Sequence, residues 1–126
     1  MHPSSVEELT SKFPELFKYV AICVDDGWYN LIHSVCMAIT EYCTEQNISK
    51  PNIAVIKEKF GGLRIYADYP EDCMEHQWAV IEGIISRAEN ESLKICEECG
   101  STEDVTTKGS YIKTLCGKCR DWLKLS

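Results

Sequence analysis

The sequence predicts an α+β fold: a small antiparallel β-hairpin sheet packed by two or three helices, with a separate cysteine-rich module at the end. Three observations lead there. Between Ile53 and Tyr69, apolar and polar side chains alternate on both sides of Gly61-Gly62, the pattern of a hairpin. Residues 28–46 and 73–90 instead repeat apolar side chains at helical spacing. Two C-x-x-C pairs, beginning at Cys96 and Cys116, follow the last of these helices.

Residues 5–20 come first, with Val6, Leu9, Phe13, Leu16, Phe17 and Val20 at helical spacing. Pro14 is expected to open a second helical turn, because proline suits a first helical position and disrupts an interior one. Asp25-Asp26-Gly27 reads as a turn and helix start, with both carboxylates in capping or turn roles rather than as metal ligands. Trp28, Leu31, Ile32, Val35, Cys36, Ile39, Tyr42 and Cys43 then form one wide stripe, closed by Asn47 and Pro51. This helix is expected to cover the apolar side of the hairpin, which is marginal in water by itself.

With the turn on Gly61-Gly62, Phe60 faces Leu63, Lys59 faces Arg64, Lys57 faces Tyr66 and Ile56 faces Ala67. Alternation sends Ala54, Ile56, Phe60, Leu63, Ile65 and Ala67 to one surface. Lys57, Lys59, Arg64 and Tyr66 go to the other. Glu58 falls on the apolar side opposite Ile65, which suggests a sheet edge, a bond to an arginine, or a bulge. Residues 20–24 (VAICV) offer a third strand, and the open edge of a two-stranded ribbon allows a homodimer.

After Pro70, Asp72 and Glu75 resemble a capping box for a helix over residues 73–90. Met74, Trp78, Ile81, Ile85 and Ala88 make its stripe, widened by Val80 and Ile84. Gly83 within it costs about 1 kcal/mol against alanine. The boundary between units is placed at residues 90–93, giving an α+β core over 1–92 and a cysteine module over 93–126.

In that module Cys96-Glu-Glu-Cys99 and Cys116-Gly-Lys-Cys119 are separated by sixteen residues. Four thiolates delivered as two such pairs suit one tetrahedral zinc ion, with residues 105–115 as a hairpin turning near Lys108-Gly109. The tail from Cys119 is expected to start a short helix, giving a zinc-ribbon or treble-clef arrangement. A zinc closed by four cysteines has no open position and is structural. Glu97 and Glu98 read as solvated knuckle residues, and a redox role for either pair is the lesser alternative. Cys23, Cys36, Cys43 and Cys73 sit among apolar residues as free thiols. His33 with Cys36 and Cys73 with His76, each three apart, make a second metal site only if their helices cross there; a core role competes.

The chain has 20 acidic and 13 basic side chains and a net charge of -7. Such a molecule is repelled by a nucleic-acid backbone unless its cations are grouped, so non-specific nucleic-acid binding is not expected. No apolar run reaches the roughly 20 residues of a membrane span, and the start lacks signal-peptide order, so a cytoplasmic protein is expected. The grouped cations Lys57, Lys59 and Arg64, with Tyr66 and the amides of Gly61 and Gly62, form the candidate ligand site for an anion. A solubilising polar face is the alternative, and neither the Walker nor the Rossmann pattern is present.

Three blocks, GWYNLIHSVCMAIT, IKEKFGGLRIY, and AENESLKICEECG with a later TLCGKC, resemble a set of small uncharacterised phage and prophage proteins. In that set a GW helix, a KFGGLR hairpin and a terminal pair of C-x-x-C motifs recur in this order, here across residues 26–119. The resemblance implies a phage-encoded protein of the bacterial host cytoplasm that acts on host processes, defence included. The expected function is a non-enzymatic, zinc-stabilised binding protein that takes an anionic small molecule, such as a nucleotide signal, or inhibits a host protein. The alternatives are a metal-dependent hydrolase using His33, His76 or the acidic pair, and an acidic mimic of nucleic acid.

Overall fold

The computed structural model describes residues 1–124. Helix α1 (Pro3–Lys12) leads to strand β1 (Ala21–Cys23), a single 3-10 turn (Asp26–Trp28) and helix α2 (Tyr29–Gln46). Strands β2 (Asn52–Lys59) and β3 (Gly62–Asp68) precede helix α3 (Glu75–Ser92). Strands β4 (Val105–Lys108) and β5 (Lys113–Cys116) and helix α4 (Gly117–Trp122) follow. The class is α+β. The end of the predicted tail helix, residues 125–126, lies outside the described residues.

β1, β2 and β3 form one sheet in that order. β1 runs parallel to β2, so the third strand at residues 20–24 exists and makes the sheet mixed rather than purely antiparallel. β2 and β3 pair Lys59 with Gly62, Glu58 with Leu63, Lys57 with Arg64 and Ile56 with Ile65. The turn is therefore Phe60-Gly61 instead of Gly61-Gly62. Both its residues are left-handed, with φ of 53° and 84°, as a two-residue hairpin turn of this kind requires. Phe60 consequently leaves the apolar face and is 70% exposed. An irregularity between Ile53 and Val55 slips the ladder near its start and carries Ile53 into the core.

The core joins Leu9, Phe13, Leu16 and Phe17 of the N-terminal segment with Trp28, Ile32, Val35, Cys36, Ile39 and Cys43 around α2. Ile53, Ile56, Leu63 and Ile65 supply the sheet side, and Ile81, Ile85 and Ala88 supply α3. Of the predicted stripe of the first segment, Leu9, Phe13, Leu16 and Phe17 are buried and Val6 and Val20 partly so, although α1 stops at Lys12 and Pro14 opens only a turn. Ile53 N–H donates to the Leu16 carbonyl at 2.7 Å and ties that turn to the sheet. Asn47, left-handed at φ 54°, closes α2 as its sequence suggests.

α3 differs in two respects. Its cap is Met74, whose N–H donates to Gln77 Oε1 at 2.9 Å. Asp72 instead accepts from the Ser49 N–H and hydroxyl, both at 3.0 Å. Its buried line is Gln77, Ile81, Ile85, Ala88 and Ser92, leaving Met74, Trp78 and Val80 exposed.

A second, smaller cluster forms from Cys96, Leu115 and Cys116 with Val105, Cys119 and Leu123. It docks on the loop before α2. Trp28 Nε1 donates to the Ile95 carbonyl at 2.9 Å, and Gly27 N–H to the Glu97 carbonyl at 2.7 Å. A Cβ on Gly27 would lie 2.1 Å from the Cys96 carbonyl oxygen and 2.3 Å from that of Glu97. Backbone on backbone has no flexible side chain to give way. Among the described residues no helix is long and apolar enough to cross a membrane.

Two glycine substitutions should therefore act with opposite sign in urea denaturation. Gly27→Ala should destabilise by about 3 kcal/mol, as overpacking against fixed backbone does. Gly83→Ala, where a Cβ meets nothing within 4 Å, should stabilise by roughly 1 kcal/mol.

Candidate functional site

The four cysteines of the two C-x-x-C pairs converge. Cys96 and Cys99 come from the turn after α3, Cys116 ends β5, and Cys119 lies in the first turn of α4. All four sulfurs lie within 4.8 Å of one another. Cys99 and Cys116 Sγ are 3.7 Å apart. Thiolates on a tetrahedral zinc, at about 2.3 Å from the ion, stand roughly 3.8 Å apart. The donor set fits such an ion. Local geometry explains the glycines: Gly100, at φ 83°, donates to the Cys96 carbonyl at 2.8 Å. Gly117 leaves room for Asp104, whose Oδ2 would be 2.1 Å from a Cβ there.

Burial opposes ionisation of Cys96, yet N–H groups of Cys116, Cys99 and Glu98 outweigh it and bring the thiol down to about 7. Cys119 is pushed the other way, by burial first and then by the neighbouring sulfurs. Ionisation is thus favoured at Cys96 and opposed at Cys119, and a cation bound there would displace the protons that remain. Cys36, pushed up to about 12 by burial, is an inert core thiol.

Glu97 is a correction. Expected in solvent, it is only 3% exposed, and its Oε2 accepts from Asp25 N–H at 3.3 Å. Burial raises its carboxyl above the usual range, and Lys113, at 4.0 Å, works against that rise. Glu98 is exposed as expected. Docking of the module on Gly27 buries Glu97, and no local sequence signal announces that contact.

The same docking fixes the hairpin turn. Gly61 N–H donates to Glu58 Oε2 at 2.6 Å, and Thr114 Oγ1 donates to the Gly61 carbonyl at 2.6 Å. Thr114 and Thr107 share a further bond of 2.6 Å. A Cβ on Gly61 would lie 2.6 Å from Thr107 Cγ2, so this glycine is required by conformation and by space. Glu58 is thereby explained as the acceptor for the turn. Its bond leaves the Gly61 N–H engaged within the chain rather than turned to an anion.

Lys57, Lys59, Arg64 and Tyr66 share the sheet face away from the core. Lys57 Nζ stands 5.3 Å from the centre of the Tyr66 ring. Arg64 Nη1 donates to the Leu63 carbonyl at 2.8 Å, and its guanidinium lies against Gly62, where a Cβ would be 3.0 Å away. Gly62 is thus a strand residue that seats Arg64, not a turn residue. Among the described residues none of the three cations pairs with a carboxylate. Phe60 holds a left-handed conformation that costs a bulky side chain about 1–2 kcal/mol.

The second cysteine–histidine grouping does not assemble among the described residues, where the four-cysteine cluster is the one group of metal-competent side chains. His33 packs edge-on to Phe13 at 5.2 Å and meets Lys12, while His76 is exposed in the first turn of α3. Asp26 accepts from the His2 N–H at 2.9 Å.

No protein-family model matches the chain, and searches of curated proteins and of solved structures find no match either.

Thr114→Val keeps the shape but removes the hydroxyl that serves Gly61 and Thr107. It should cost about 2 kcal/mol, the penalty for an unpaired buried acceptor, and shift the amide resonances of residues 60–62. Unchanged stability and resonances would mean that the turn does not depend on this contact.

Proposed function

We propose that the chain is a non-enzymatic binding protein in which four cysteines hold one structural zinc ion and the outer sheet face takes an anionic ligand. That ligand is a nucleotide signal or an acidic surface on a host protein. The observation that carries the reading is the pairing of Lys57 directly opposite Arg64, with Lys59 beside them. Like charges facing each other across two strands destabilise a sheet. A chain with 20 acidic side chains has no shortage of carboxylates that could have relieved the repulsion, yet among the described residues none forms an ion pair with these cations. Three cations held together against that cost on an open face favour a ligand supplied from outside, and Tyr66 adds a ring against which a planar group can stack.

The zinc assignment follows from soft thiolate donors at tetrahedral spacing. With all four positions filled by cysteine, the ion contributes folding energy and no chemistry. A hydrolase gains no support from the placement of His33, His76, Asp25 and Asp26, which converge on no common point. The resemblance of the GW helix, KFGGLR hairpin and cysteine pairs to phage proteins supplies the setting: a bacterial host cytoplasm, with a host signal or defence protein as the target.

The test uses protein recovered from bacterial cells. Metal analysis should give one zinc per chain, and mass spectrometry of the unfolded sample should find a bound anion or a co-purifying acidic protein. The Lys57→Ala, Arg64→Ala double variant should keep or slightly raise its Tm and lose that companion. A double variant that retains it refutes the sheet-face reading, and two metal ions per chain would bring catalysis back.

A further inference from the structure

The two hairpin ends lie side by side. The β2–β3 turn presents Phe60, and the β4–β5 turn presents Tyr111 and Ile112. The cleft between them is lined by Glu58, Lys59, Phe60, Ser110, Tyr111 and Ile112 and holds about 350 Å³.

Three features of this end are unfavourable to the isolated chain. Phe60 occupies a left-handed position that asparagine or glycine would fill without strain, and burial within the chain does not compensate, since its side chain stays outside the core. Tyr111 is 73% exposed, and Ile112 is exposed beside it. Lys108 stands directly opposite Lys113 across β4 and β5, a second like-charge pair in addition to that of Lys57 and Arg64, and Glu97, 4.0 Å from Lys113, offsets only the Lys113 side of it. The tips are nonetheless held in fixed relation: Thr114 is bonded to Gly61, and Ile112 Cγ2 lies 3.3 Å from where a Gly61 Cβ would be. Strain, exposed aromatic surface and the cations Lys59 and Lys108, neither paired with a carboxylate among the described residues, gathered on a preorganised edge, are the properties of an interface anchor.

We propose that this cleft docks an acidic segment of a partner protein. An apolar side chain of the partner sits between Phe60 and Tyr111, and flanking carboxylates meet Lys59 and the neighbouring cations. The proposal rests on the anion-binding reading of the sheet face and names the partner class. A small ligand would stay largely in water between walls so exposed. Ile112, which has no ring on which a base could stack, matches a side chain better than a nucleobase. Charge complementarity decides the sign of the partner's rim.

The experiment selects short random peptides, displayed in a library, on the metal-loaded full chain. Enriched sequences should carry an apolar residue between Asp or Glu, and one of them, made synthetically, should bind the wild type. Phe60→Asn and Tyr111→Ser should each weaken that peptide by at least about tenfold, while Phe60→Asn keeps or raises the Tm because its turn is relaxed. No enrichment, an undiminished affinity in Phe60→Asn, or Phe60-dependent binding of an oligothymidylate in place of the peptide overturns the proposal. If the selected peptide is lost from the Lys57→Ala, Arg64→Ala variant but not from Phe60→Asn, the sheet-face reading stands and the cleft falls. If neither variant weakens it, both fall.

Discussion

The backbone of Gly61 is gripped at both ends by side chains. Its N–H is taken by the Glu58 carboxylate from its own hairpin, and its carbonyl by the Thr114 hydroxyl from the second sheet. Much of the remaining architecture follows from that contact. A left-handed glycine in touch with Thr107 and Thr114 places the turn at Phe60-Gly61, and that placement sets the β2–β3 register. The register puts Lys57 opposite Arg64 and leaves Gly62 beneath the guanidinium. One polar contact between two sheets thereby determines where the cations stand.

The cysteine module matters through the same joint. Its own apolar cluster, Cys96, Leu115 and Cys116 with three partly buried neighbours, is too small to order residues 93–124 unaided. A metal on the four thiolates would supply the missing folding energy. Folding of that segment in turn positions Thr114, Glu97 and the Ile95 carbonyl against the hairpin and the Gly27 loop. A metal held there would support the geometry of the sheet face through the Thr114–Gly61 contact.

The sequence made some of this legible and concealed the rest for definite reasons. The metal-competent cysteines stood out because C-x-x-C spacing is set by local turn geometry. The split of Lys57, Lys59, Arg64 and Tyr66 from the apolar side was also correct, although the turn was placed one residue late. Moving a two-residue turn by one position slides the pairing by two, and a slide of two keeps these four side chains on their face, whereas Phe60 leaves its own because it enters the turn. The turn departs from its expected position because local chemistry prefers Gly-Gly to Phe-Gly, whereas a tertiary contact at Gly61 decides it. Glu97 and the α3 cap depart from their local patterns for a similar reason. Distant partners, Asp25 in one case and Ser49 in the other, claimed carboxylates whose local patterns pointed elsewhere.

If the cysteine centre holds the Phe60-Gly61 turn in place, amide hydrogen exchange with and without metal shows it directly. Chelation should accelerate exchange at Gly61 and Gly62 and at Gly27, while Ile56 and Ile65 in the middle of the β2–β3 ladder stay protected. Equal exchange at Gly61 in the metal-loaded and metal-free protein would contradict the account, because the turn would then keep its conformation without the module that is held to fix it.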